Sequence, residues 1–98
     1  MTRDDVIATL RAHQPQLRDR GVRHAALFGS VARNQQTPAS DIDIMIELDP
    51  DAPVDLFAYV GIVQFLEDMF PIPVDVANRD RLKPFVRPQA EHDAVHAF

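Results

Sequence analysis

Cysteine is absent from this chain, which excludes both a disulfide framework and a metal site built from thiolates. The first ten residues, MTRDDVIATL, contain no apolar signal segment. Apolar residues nowhere continue long enough to cross a bilayer. The sequence therefore predicts a reducing, cytoplasmic location and no insertion into a membrane.

Aromatic residues are also scarce, with no tryptophan and a single tyrosine, Tyr59. Hydrophobic residues nonetheless make up 46% of the 98 residues and charged residues 26%, which is typical of a globular protein rather than a disordered one. A chain of this length suits one domain. We therefore expect a single domain over residues 1–98 with an aliphatic core, and Tyr59 in that core or at its rim.

Lysine and arginine are missing from residues 34–78, a stretch that carries nine Asp and Glu residues. Such a concentration of negative charge repels a nucleic-acid backbone and attracts metal ions or a basic protein. The stretch therefore argues against direct nucleic-acid binding and suits a cation or a basic partner. An ordinary solvated acidic face is the alternative interpretation.

Hydrophobic periodicity predicts helices and strands that follow one another along the chain. A first amphipathic helix begins at Thr2, where Thr2 and Asp5 resemble a capping box, and ends near Gly21, with Pro15 as its weak point. The other predicted elements are a strand over Val22–Phe28, a short helix through residues 31–33, a loop over 34–40, a strand over 41–48, a helix over 54–70, a strand over 72–77, one or two short helical pieces after Asp80 and an extended segment over 94–98.

The predicted helix over residues 54–70 is apolar almost throughout. A helix that is apolar on more than one face needs more cover than a small domain easily provides, which suggests a protein partner over the excess. A central helix of the core is the alternative.

Two aspartates one residue apart carry the clearest chemical signal. Side chains alternate along a strand, so Asp41 and Asp43 should stand together on one face while the aliphatic residues between and after them enter the core. Like charges this close repel each other unless a cation lies between them, and carboxylate oxygens are ligands that Mg²⁺ prefers. Asp41 as a turn or cap residue after Ser40 is the alternative.

A small-residue turn lies ten residues before this pair. Gly29 lets a phosphate approach the backbone, Ser30 adds a hydroxyl donor, and the start of a helix offers unpaired N–H groups. Arg33 is the nearest base and could contact a phosphate, with a solvated arginine as the alternative.

Asp75 is the natural third acid, because it alternates with Val74 and Val76 on the next predicted strand. It could help to hold a second metal ion or accept a proton from an attacking hydroxyl. A solubilising residue at a strand end is the alternative. His92 and His96 could also meet as metal ligands on a helix, but no HExxH pattern or third ligand accompanies them.

The motifs GSVAR, SDIDI and a later VDV, taken together, resemble the minimal nucleotidyltransferases of the DNA polymerase beta superfamily, over nearly the whole chain. The resemblance implies an α+β (α/β) nucleotidyltransferase fold with a small mixed sheet of three to four strands packed against helices. It also implies that Gly29 and Ser30 bind the triphosphate, that Asp41 and Asp43 ligate metal, and that Asp75 is the third carboxylate. The chain departs from the family pattern after the arginine, where Asn34 and Gln35 replace the usual glycine and acid. Asn is the next most tolerant residue in a left-handed turn, so the geometry can survive.

Family members of this size typically act as antitoxins of a HEPN-domain ribonuclease toxin, in some cases by moving AMP from ATP to a toxin tyrosine. The resemblance therefore implies a nucleotidyltransferase that uses one or two Mg²⁺ ions and ATP and modifies a HEPN-domain partner. Two alternatives stay open, an antitoxin that acts by binding alone and a regulatory subunit that binds ATP without turnover.

Overall fold

The computed structural model of the protein describes residues 1–35, 37 and 40–98, so that Gln36, Pro38 and Ala39 of the predicted loop lie outside the described residues. Its elements, in chain order, are α1 (Arg3–Ala12), α2 (Gln14–Asp19), β1 (Val22–Phe28), α3 (Gly29–Ala32), β2 (Ile42–Leu48), α4 (Leu56–Asp68), β3 (Val74–Asn78), a 3-10 helix (Arg79–Arg81), α5 (Arg87–Asp93) and β4 (Val95–His96). The four strands form one sheet in the order β3-β2-β1-β4. β1 is antiparallel to β2 and β4, whereas β2 and β3 are parallel, which confirms the predicted mixed sheet of an α+β fold.

The first predicted helix is two helices, and the expectation of a continuous one was wrong. Thr2 and Asp5 form the capping box, with the Asp5 N–H donating to Oγ1 of Thr2 at 3.2 Å and the Thr2 N–H donating to Oδ2 of Asp5 at 3.0 Å. The helix then stops at His13, and Pro15 lies in the first turn of α2. Proline lacks an N–H and its ring clashes with the preceding turn, so it is tolerated only at a helix start.

One face of the sheet supports the core. Ile42, Ile44 and Ile46 of β2 are fully buried, as the alternation predicts, while Leu48 is half-buried at the edge of the core. The helices α1, α2 and α4 cover this face with six buried aliphatic residues, Val6, Ile7, Leu10, Leu17, Ile62 and Leu66. The opposite face carries Asp43, Met45 and Glu47, and is therefore the face on which chemistry can occur.

Helix α4 is shorter than predicted and is not a central core helix. It begins after Asp55, whose Oδ1 accepts from the Ala58 N–H at 2.7 Å, and only Ile62 and Leu66 are fully buried. Its first turns leave large apolar side chains in solvent. The excess apolar surface that the sequence predicted for this helix is thus exposed to solvent.

The C-terminal part follows the prediction of short helical pieces and a final extended segment, here the 3-10 helix, α5 and β4. The strand predicted over residues 72–77 is β3, which begins two residues later than expected, at Val74. Pro73 cannot extend it because proline has no N–H to donate to a neighbouring strand. Within the described part of the chain, no helix is both long and apolar enough to cross a membrane.

Candidate active site

The junction of β1 and α3 lies directly against the predicted metal ligand Asp43. Gly29 and Ser30 are the first two residues of α3, so this helix starts two residues earlier than the helix predicted over residues 31–33. Gly29 has a φ of 72°, a left-handed conformation that favours glycine. A methyl group at this position would overlap Oδ2 of Asp43 and lie 3.1 Å from its Cγ. The structure therefore brings together the two halves of the candidate site, which are separated by ten residues in the sequence.

Asp43 and Asp75 are neighbours across the parallel pair β2 and β3, where they occupy the same register position. Residues opposite each other in a parallel pair share a face, so both carboxylates belong to the face away from the core. Burial raises the pKa of the Asp43 carboxyl, the charges of Asp75 and Asp41 raise it further, and Arg33 opposes the rise. The negative charges of Asp41 and Asp75 thus both act on the Asp43 carboxyl.

Asp41 immediately precedes β2, which begins at Ile42 and not at Asp41 as predicted. Its side chain is exposed. Its charge still reaches Asp43, as described above. The preceding residue, Ser40, accepts a hydrogen bond at its Oγ from the Thr37 N–H at 2.9 Å.

Arg33 is held by the C-terminal helix. Its Nη1 donates to Oδ2 of Asp93 at 2.7 Å, and its Nε donates to Oε1 of Gln35 at 3.1 Å. Gln89 also donates to Oδ2 of Asp93 at 3.1 Å, and the side chain of Asp93 is only 9% exposed. These hydrogen bonds and the charge of Arg33 hold the pKa of Asp93 below its ordinary range. No local sequence pattern indicated this contact, because sixty positions separate its two residues.

Asn34 occupies the left-handed conformation expected of the residue that replaces the family's glycine, with a φ of 56°. Asn is among the few non-glycine residues that adopt this region readily. The turn after Arg33 therefore takes the left-handed conformation with asparagine in place of glycine.

Two other sequence-based interpretations are resolved by the structure. Helix α5 ends at Asp93, so His92 and His96 lie on a helix and a strand, and the helical metal pair is wrong. Tyr59 is half-buried and packs at the edge of the core, as expected. Burial raises the pKa of Tyr59, while the charge of Arg81 lowers it and that of Asp75 adds to the rise.

The donor set suits Mg²⁺ that is shared with a nucleotide. Among residues 1–35, 37 and 40–98, no three His, Cys, Asp or Glu side chains form a group that could hold an ion. Mg²⁺ is usually bound through one or two carboxylates together with substrate phosphates and water, so a complete protein cage is not required. The mutual repulsion around Asp43 is what a bound cation would relieve.

Comparison with protein families identifies the fold. The sequence pattern of the nucleotidyltransferase domain family matches residues 10–96. The chain belongs to this family. It is therefore a nucleotidyltransferase, and the resemblance seen in GSVAR and SDIDI is confirmed.

Among its relatives, a Methanocaldococcus jannaschii protein classed as a protein adenylyltransferase is 34% identical over 97 residues, which cover 97% of each chain. The protein adenylyltransferase MntA of Thermococcus cleftensis is 28% identical over 97 residues, which cover 98% of this nucleotidyltransferase and 96% of MntA.

Solved structures share the architecture of this nucleotidyltransferase. A minimal nucleotidyltransferase superposes with a TM-score of 0.79 at 24% identity, over 97% of this chain and 95% of the other. A toxin–antitoxin complex with AMP-PNP gives a TM-score of 0.68 at 21% identity, covering 100% and 73%. A tri-AMPylated Shewanella oneidensis HEPN toxin in complex with its MNT antitoxin gives 0.65 at 19% identity, covering 93% and 70%. At these identities the likeness establishes the fold.

Proposed function

We propose that this nucleotidyltransferase moves AMP from ATP, with Mg²⁺, to a hydroxyl group of a HEPN-domain toxin, most simply that of a tyrosine, and thereby acts as an antitoxin. The observation that carries the proposal is the position of Asp43, wedged against the Gly29 turn and in register with Asp75. The relatives named as protein adenylyltransferases support the donor chemistry. The complexes of MNT antitoxins with HEPN toxins and with AMP-PNP support the partner and the nucleotide.

In this proposal the Gly29 and Ser30 turn binds the β- and γ-phosphates through backbone N–H groups and the Ser30 hydroxyl. Asp41 and Asp43 would hold the metal, and Arg33 would contact a phosphate through guanidinium N–H groups other than those that donate to Asp93 and Gln35. Bound Mg²⁺ would supply positive charge against the triphosphate.

The chemical step is an in-line displacement at the α-phosphorus. The acceptor oxygen forms a new bond to that phosphorus, the bond from the phosphorus to the bridging oxygen of pyrophosphate breaks, and pyrophosphate departs. Asp75, exposed at the edge strand β3, accepts the proton of the acceptor hydroxyl.

The test incubates this protein with ATP, Mg²⁺ and the protein encoded by the adjacent gene, which the proposal expects to be a HEPN-domain toxin, and measures the mass of that partner. We expect a mass increase of one or more AMP groups, its loss on chelation of the metal, and its loss in the double variant Asp41→Asn/Asp43→Asn. Asp4→Asn, at an exposed position in the first turn of α1 and outside the site, is the matched control and should retain transfer.

A second candidate function, neutralisation by binding alone, is favoured by the uncovered apolar surface of α4. The same variants separate the two. If the folded double variant neutralises the toxin as well as the unchanged protein does, binding rather than transfer is the function.

A further inference from the structure

The most exposed apolar side chains of the folded chain include three on the first two turns of α4. Phe57 is 87% exposed, Leu56 73% and Val60 46%. Residues three and four apart adjoin on a helix surface, so Val60 borders both of the others. Monomeric proteins rarely leave such neighbouring large apolar groups in water without a binding role.

A pocket of about 460 Å³ continues this surface. Leu56 belongs to both, and the pocket runs from the start of α4 to the end of β3 and the 3-10 helix. Its apolar lining is provided by Leu48, Val54, Leu56, Tyr59, Ala77 and Leu82, and its polar lining by Asp55, Asn78 and Arg81. We call the three exposed side chains and this pocket together the α4 docking face. Exposed side chains beside a recess are what a partner needs to anchor a large residue.

The α4 docking face lies beside the candidate active site. Tyr59 lines the pocket and is close enough to Asp75 for the aspartate's charge to raise its pKa. Asp75 itself lies on β3, which is an edge strand of the sheet. A protein held on the α4 docking face can therefore present a hydroxyl at the side of the carboxylates that, within the described residues, no other strand covers.

Charge selects the kind of protein that fits. Acids flank both ends of α4, namely Asp49, Asp51 and Asp55 before it and Glu67 and Asp68 at its end. The nearby base Arg20 stacks on the Phe65 ring at 4.6 Å, and Arg81 lies in the pocket. If two copies packed α4 against α4 around a two-fold axis, acidic ends would meet whichever way the helices ran.

We propose that the α4 docking face binds a helix of the toxin whose apolar stripe is bordered by Lys and Arg. The proposal rests on the proposed function, since the bound protein is the one that receives AMP. In this proposal α4 binds the acceptor protein, and the candidate active site binds the nucleotide.

The test measures the affinity of the toxin for this protein without nucleotide, and MgATP binding separately. Phe57→Asp should weaken toxin binding by about 30-fold or more, as expected of a central anchor. MgATP binding should not change. Ala8→Asp adds the same charge at an exposed position of α1 and should leave both affinities unchanged. Circular dichroism checks that each variant folds.

Two further arms test the charge argument and the occupant. Glu67→Lys/Asp68→Lys should weaken toxin binding, and more so at low salt, whereas the protein alone should sediment as a monomer. An unchanged affinity in Phe57→Asp, the absence of a complex with the toxin, or a dimer that Phe57→Asp dissociates would overturn the docking proposal. Because Asp41→Asn/Asp43→Asn should bind toxin normally without modifying it, failure of the chemistry is distinguishable from failure of docking.

Discussion

Replacing Gly29 with alanine tests the geometry on which the site depends. The left-handed conformation of this residue costs a side-chain-bearing residue about 1–2 kcal/mol. The added methyl group also overlaps Oδ2 of Asp43, and forcing an atom into an occupied space typically costs about 1–3 kcal/mol. We therefore expect Gly29→Ala to lower the free energy of unfolding by about 3 kcal/mol, which corresponds to roughly 15 °C in Tm for a domain of this size.

Gly61→Ala is the matched control for this substitution. Gly61 lies inside α4, where the nearest atom to a new methyl group is Nη1 of Arg20 at 3.4 Å, the mobile end of a long side chain. Alanine in place of glycine inside a helix gains about 0.5–1 kcal/mol. The same chemical change should thus stabilise one position and destabilise the other.

Urea unfolding of both variants, and of Gly29→Ala combined with Asp43→Ala, measures these effects. Removing the Asp43 carboxylate should leave only the backbone cost at Gly29, about 1–2 kcal/mol. MgATP binding should be lost in Gly29→Ala and kept in Gly61→Ala. If Gly29→Ala proves as stable as the unchanged protein, or costs the same with and without the Asp43 carboxylate, the close contact between turn and carboxylate does not exist.

Three further predictions concern single side chains. The pKa of the Asp43 carboxyl is raised in the folded state, so ionisation of this group lowers the free energy of unfolding. This loss is absent below the ordinary pKa of 3.8 and complete above the raised pKa of the folded state. Asp43→Asn should therefore raise the free energy of unfolding at pH 7, with a gain that shrinks toward pH 4 in urea titrations; an equal gain at both values would contradict it. Asp93→Asn should weaken MgATP binding by about 2- to 10-fold in calorimetry, because Arg33 loses a charged anchor, and unchanged affinity would mean that Arg33 does not bind phosphate. Thr2→Ala should cost about 1 kcal/mol in thermal unfolding through loss of the capping box with Asp5, whereas an unchanged Tm would show that the cap contributes nothing.

Local patterns predicted the parts of this fold that local forces determine. The regular spacing of Ile42, Ile44 and Ile46 at every second position specified β2 and its two faces, because side chains along a strand alternate between its faces. Gly29 marked its turn because few other residues adopt that conformation at low cost. The candidate site was therefore visible in the sequence as far as Asp43, its turn and Asp75.

What the sequence missed depends on tertiary contacts. Whether α4 would be covered on all sides could not be read from its composition, since the coverage is decided by how many neighbours the sheet places around it. Asp93 carried no local mark of its contact with Arg33, because only the return of α5 to α3 brings them together. The break at His13 was signalled by Pro15, but the continuing apolar periodicity outweighed that signal.

The parallel pairing of β2 with β3 leads us to expect that the candidate active site assembles late in folding. Asp43 and Asp75 meet only after the whole of α4 has formed and crossed over, and such non-local pairing is slow compared with closure of a hairpin. A slip of one residue between the two strands would turn Asp75 toward the core and leave a compact but inactive chain. In refolding experiments, the recovery of nucleotide binding should therefore lag behind the recovery of helical signal, and it offers a direct readout of strand register.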